Sequence, residues 1–233
     1  MESWLEWARG PMFIFAFSFM VLGLVRHLVL TVMQIIRTMQ RAGDKHLDYK
    51  ALIISTIKWL VPVTKVKEQL LFSLTSLAFH VAVILVPVFL AGHIALWKRG
   101  TGISWPALSN SAADLLTIVA VLTAIALVVE RAAGHTSRAL SRAQDYAMPL
   151  IVALPFASGF LAMHPALNPF PYEATLLMHI LSGNLVFILI PLTKLSHMAL
   201  IPGVQFVSEA AWHWPPHAGS RLAVTLGKEN EKI

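Results

Sequence analysis

Four histidines stand inside long apolar runs: His80 and His93 in one, His179 and His197 in another. Ionisable residues at such positions are expensive and usually functional. An imidazole there can ligate a metal, relay a proton, or bond to backbone or water as a core residue. Two imidazoles from facing helices suit one haem b, which has no thioether bond to the chain and is held by its axial ligands. Bis-histidine ligation leaves no open position for oxygen and therefore serves electron transfer. Any one of the four reads equally well as a core histidine. Four in two mirrored pairs read as ligands to two haem b groups.

Spacing constrains where these residues sit. At about 1.5 Å per residue, the 13 residues from His80 to His93 rise about 20 Å, and the 18 from His179 to His197 rise about 27 Å. Each run therefore places one histidine towards each side of a bilayer. Eighteen residues make five full turns, so His179 and His197 share a face. Thirteen leave His80 and His93 about 140° apart on an ideal helix. Pro87 lies between that pair and Pro191 inside the other run, and proline can kink or rewind a helix. Antiparallel runs pair His80 with His197 near one side and His93 with His179 near the other.

The elements that must carry these residues are membrane spans. The chain has 233 residues, 57% hydrophobic and 13% charged, with mean hydropathy +0.68. Soluble domains carry about 25% charged residues. About 20 apolar residues cross the hydrocarbon, and five runs reach that length: roughly 12–34, 70–97, 113–130, 146–164 and 174–200. An all-α, integral membrane five-helix bundle is the expected fold. The net charge of +6 does not point to nucleic acid, because the basic residues lie in short connections. The 34–69 connection holds Arg37, Arg41, Lys45, Lys50, Lys58, Lys65 and Lys67; the 131–144 loop adds Arg131, Arg138 and Arg142; the tail adds Arg221, Lys228 and Lys232. The opposite side has Arg9, Lys98 and Arg99. Thirteen against three predicts an N-terminus outside and a C-terminus in the cytoplasm of a prokaryotic inner membrane.

Glu2 and Glu6 precede the first run, unlike the basic start of a cleaved signal peptide, so that run reads as a retained helix. The absence of cysteine excludes disulfides, thiolate-held iron–sulfur clusters and covalent haem within this chain. Ala51–Val63 is apolar but too short to cross and reads as an interfacial helix on the cytoplasmic side. Residues 1–203 form the five-span domain, and 204–233 a cytoplasmic surface tail containing Trp212, Trp214, Pro215 and Pro216.

The run from His179 to His197, HILSGNLVFILIPLTKLSH, resembles the last helix of the respiratory nitrate reductase gamma subunit family. That family has relatives in sulfite-reductase-associated, heterodisulfide-reductase-type and transmembrane redox complexes. The Gly92-His93 pair resembles the family's outer ligand region. The resemblance covers the five-helix plan over roughly 10–203 and is sharpest in 179–202. It implies a di-haem cytochrome b subunit that exchanges electrons with menaquinone or ubiquinone, with His80, His93, His179 and His197 as ligands. It further implies a cytoplasmic iron–sulfur partner of heterodisulfide-reductase or oxidoreductase type, and allows a periplasmic multihaem cytochrome. The long 34–69 connection and the tail QFVSEAAWHWPPH depart from the family, so the partner differs from that of nitrate reductase.

Other residues carry weaker signals. Gly183 lies one turn after His179, where a missing side chain admits a flat macrocycle or, equally, a close helix neighbour. Arg26, His27 and Lys194 stand near the cytoplasmic span ends, suited to haem propionates or to snorkelling. Lys98 and His164, with Gly92 nearby, gather near the outer face and are candidates for a quinone site, which needs an apolar cleft with a few polar groups. His213 and His217 are four apart but separated by two prolines, and His46 and His135 read as solvated loop residues. Asp114, Glu130 and Asp145 sit at span ends and receive no role. Two rivals from other classes remain: a haem-free membrane anchor, and a transporter component whose histidines relay protons or bind metal.

Overall fold

With no water to bond to inside a bilayer, a backbone segment must satisfy itself, and an isolated segment does so as a helix. The computed structural model describes residues 1–41, 49–60, 70–211 and 218–230, and all regular structure among them is helical. In chain order the helices are α1 (Glu2–Trp7), α2 (Phe13–Arg41), α3 (Tyr49–Leu60), α4 (Leu70–Phe89), α5 (Ala91–Thr101) and α6 (Asn110–Ala133). They continue with α7 (His135–Leu140), α8 (Ala143–Met163), α9 (Tyr172–Leu192), α10 (His197–Ala211) and α11 (Ala218–Thr225). Five stretches are long and apolar enough to cross a membrane: Glu2–Gln40, Leu70–Phe89, Asn110–Ala133, Ala143–Met163 and Tyr172–Leu192. This is the character of a multi-pass membrane protein. The expected interfacial helix begins at Tyr49, and its predicted end at Val63 lies outside the described residues, as do His46, His213 and His217. The expected domain boundary at 203 falls inside α10.

The first span is longer than the predicted 12–34 because α1 and α2 are joined by one wide turn, the π-helical Ala8–Met12. Pro11 lies in that turn and has no N–H to offer. The Ala8 carbonyl accepts a hydrogen bond from Asn184 Nδ2 at 2.9 Å, across to α9. Asn184 is 1% exposed, and this bond explains how an amide is tolerated in the middle of a span.

The second and fifth spans do not run straight through, which corrects the predicted helices 70–97 and 174–200. Leu90 is extended (ψ 128°) and separates α4 from α5. Pro87 lies three residues earlier, and the carbonyls released at the break find other donors. Pro87 O accepts from His93 Nδ1 at 3.0 Å, Val88 O from Trp105 Nε1 at 2.9 Å, and Phe89 O from the Leu108 N–H at 2.9 Å. The fifth span ends at Leu192; Thr193 is extended, a 3₁₀ turn covers Lys194–Ser196, and His197 begins α10. His80 and His93 therefore belong to different helices, as do His179 and His197, and the argument from five full turns does not apply.

Neighbouring helices form an arc: α4 packs on α6, α6 on α8, α8 on α9, and α9 on α2. The core lies among α4, α6 and α8, where Phe79, Ala82, Val86, Ala120, Ala124, Leu127, Val152, Ala153 and Phe156 interlock. The alanines of α6 let its neighbours approach, as expected where packing rather than hydrophobicity joins helices. The opposite faces are apolar and outward, as lipid contact requires. Helices α4 and α9 are not a closely packed pair. Helix α10 folds back on α2 and α3.

Candidate haem-binding sites

The tertiary structure brings the four histidines together in two pairs. The rings of His80 and His197 lie 5.9 Å apart between centroids, with planes at 83°. Those of His93 and His179 lie 6.0 Å apart, with planes at 14°. Two trans imidazoles on one first-row metal, each bonded at about 2.0–2.1 Å, have centroids about 6.3 Å apart. Both separations fall close to that value.

Each ring is anchored through Nδ1. His80 Nδ1 donates to Ser76 O at 2.7 Å, one turn back on α4. His197 Nδ1 donates to Lys194 O at 2.7 Å, inside the 3₁₀ turn. His93 Nδ1 donates to Pro87 O, released by the break at Leu90. His179 Nδ1 crosses to α8 and donates to Pro155 O at 2.7 Å. A carbonyl can only accept, so Nδ1 carries the proton in all four neutral rings and Nε2 keeps its lone pair. Among the described residues none of these Nε2 atoms is hydrogen-bonded. A ligating histidine normally has this arrangement: an outer acceptor fixes the tautomer and leaves the other nitrogen for the metal.

The donor set fits haem. Among the described residues no group of three or more His, Cys, Asp or Glu side chains comes together. A pair of imidazoles is too few ligands for zinc, which takes four. It suits a macrocycle that supplies the equatorial donors itself. Gly183 is one turn from His179, and a Cβ built there meets nothing within 4 Å. The same holds at Gly92. No neighbouring helix comes close to Gly183 in the structure.

A cavity of about 590 Å³ adjoins the His80/His197 pair and is lined by Phe79, His80, Arg131, Asp145, Lys194 and His197, among others. Its volume lies within the ~300–1,000 Å³ range of cofactor pockets. Lys194 Nζ donates to both Asp145 carboxylate oxygens, at 2.6 and 2.7 Å. Arg131 Nη1 donates to Asp145 O at 2.9 Å and lies 3.6 Å from Oδ1. Asp145 also accepts the Arg142 N–H at 2.9 Å, capping α8. Two cations around one carboxylate leave a net positive charge beside the pocket, suited to an anionic edge. In the sequence Arg131 reads only as a topology signal and Asp145 as a carboxylate at a span end. Their conjunction depends on three helices, and no local sequence signal marks it.

The remaining candidates are dispersed. Arg26 is exposed on α2. His27 turns away from any propionate role: its Nε2 lies 2.8 Å from Pro191 O and donates to it. Lys98 is exposed at the end of α5, and no contact joins it to His164 among the described residues. His164 instead donates through Nδ1 to Phe160 O at 2.9 Å, stacks on Phe160, and lies 3.4 Å from Asp114 Oδ2 through Nε2. A smaller, apolar cavity of about 440 Å³ runs along α9 beside Met1, Met178, Leu181, Ser182 and Leu185.

No family model matches the chain, and no solved structure matches it. The chain is similar to a protein of Nitratidesulfovibrio vulgaris described simply as "Protein", 38% identical over 148 residues. The match covers 63% of this chain and 64% of that protein's length.

Proposed function

We propose that this chain is the cytochrome b subunit of a respiratory redox complex, carrying electrons between membrane quinone and a cytoplasmic iron–sulfur partner. The observation that supports this best is the pair of imidazole pairs, each with Nδ1 anchored on a carbonyl and Nε2 left for a metal. Bound there, haem b supplies one-electron transfer at a metal with no open coordination position.

The protein's own residues do the rest. The four carbonyl acceptors fix ring tautomer and direction. Gly183 and Gly92 leave room for a flat ring. Arg131 and Lys194, steadied by Asp145, would hold the anionic propionate edge at the His80/His197 site. The positive-inside distribution supports a cytoplasmic position for that site, with the C-terminus, and an outer position for the His93/His179 site. The His164–Asp114 dyad then lies near the outer face, where it accepts a proton as quinol is oxidised, with Lys98 at the rim of the same side. Orientation of this kind releases protons outside and moves electrons inward. The bilayer is the inner membrane of a prokaryote.

Purified full-length chain should give a dithionite-reduced b-type alpha band and two acid-extractable haems per chain. His80→Ala and His197→Ala should each remove one and the same haem, and His93→Ala and His179→Ala the other. A chain without the alpha band is instead an anchor or a transporter component, and loss of the same haem from His80→Ala and His179→Ala breaks the pairing.

A further inference from the structure

We infer that Gly159 is a positioning residue that fixes the plane of the His179 ring and so makes the two haem sites electronically unlike. The inference rests on the di-haem reading above. Gly159 is on α8, four residues after Pro155. A Cβ built on it would lie 2.9 Å from His179 Nδ1 and 3.0 Å from Cε1. Real Cβ atoms do not approach ring atoms so closely without displacing them, and the ring is tied to the same helix by its bond to Pro155 O. A bare backbone at 159 is therefore what lets the imidazole lie against α8 and reach the Pro155 carbonyl. His93, opposite, is fixed by Pro87 O at the helix break. The result is two rings within 14° of parallel.

The other pair is held differently. His80 and His197 bond to carbonyls of their own local turns, Ser76 and Lys194, and their planes cross at 83°. The plane angle matters because an imidazole donates π density to iron only through the orbital perpendicular to its ring. Parallel rings act on the same iron dπ orbital and split the two dπ levels widely. Perpendicular rings act on one each and leave them nearly degenerate. The two ferric sites, with identical ligand types, therefore differ in magnetic anisotropy. The His93/His179 site gives a resolved three-line rhombic signal, and the His80/His197 site a strongly anisotropic signal dominated by one large g value.

Low-temperature electron paramagnetic resonance of the oxidised full-length chain, loaded with haem b, tests this. Wild type should show both signals at equal spin. His179→Ala should lose the rhombic one and His197→Ala the large-g one. In Gly159→Ala the rhombic signal should be lost or displaced towards large g, with the large-g signal unchanged and two haems still bound. Two signals of one type, the opposite assignment, or an unshifted rhombic signal in Gly159→Ala would each overturn the inference. The wild-type, His179→Ala and His197→Ala arms decide the difference between the two sites even where Gly159→Ala does not fold, and Gly159→Ser, with a side chain of similar size, then gives a second reading of the role of Gly159. Absence of low-spin ferric signals together with absence of a b-type alpha band would instead overturn the di-haem reading itself.

Discussion

Gly23→Ala is the substitution whose consequence follows most directly from the packing. Gly23 of α2 faces Pro191 of α9: an added Cβ would overlap the proline Cβ and lie 2.8 Å from its Cγ. Carbon atoms prefer about 3.5–4.0 Å, so the helices must separate by about 1 Å. A proline ring is tied to its own backbone and cannot swing aside. One turn further along α2, the His27 Nε2 bond to Pro191 O is 2.8 Å and does not survive such a separation. Overpacking costs about 1–3 kcal/mol, and a lost bond within a membrane about 0.6–1.7 kcal/mol. Alanine in place of glycine returns about 1 kcal/mol of helix propensity. The balance is a destabilisation of about 2 kcal/mol, or about 4–8 °C in Tm for a chain of this size. Thermal unfolding in detergent measures it, with Gly10→Ala and Gly100→Ala as controls, since a Cβ at either position meets nothing within 4 Å. Pro191 leads into the turn that presents His197, so on the proposed di-haem reading the His80/His197 site should also lose its haem first on heating. A Gly23→Ala protein as stable as its controls would refute the close α2–α9 packing.

Three further outcomes are expected from the proposed di-haem reading and the packing. Gly183→Leu places a branched side chain in the open space beside His179, and should remove haem from the His93/His179 site while leaving helix content and the other site unchanged, as read by absorbance and circular dichroism. Asn184→Ala leaves the Ala8 carbonyl in the wide turn without its partner, and should cost about 1–3 kcal/mol of stability with both haems retained. His164→Ala should slow haem reduction by a quinol analogue roughly a hundredfold, the lower range for loss of a general base; Asp114→Asn should slow it less, and stopped-flow rates unchanged in both would remove the dyad from quinol chemistry.

Composition and run length alone indicated five apolar helices, because a bilayer imposes one length and one polarity on whatever crosses it. The four histidines were visible for the same reason: a polar group in a long apolar run is conspicuous without any knowledge of the fold. Opposed helix directions were enough to expect His80 beside His197 and His93 beside His179, and the structure places them so. What the sequence could not supply was phase. Counting residues on ideal helices leaves His80 and His93 about 140° apart, and Pro87 marks a place where the helix can kink or rewind. The tertiary structure resolves this with the break at Leu90, whose freed carbonyls are taken by His93, Trp105 and Leu108. A break is stable only where distant donors satisfy it, and those donors are known only once the chain is folded. The same reason hid the Lys194–Asp145–Arg131 cluster and the Gly159–His179 contact. Each joins residues far apart in sequence, and the geometry that gives them meaning belongs to the packed helices rather than to any one of them.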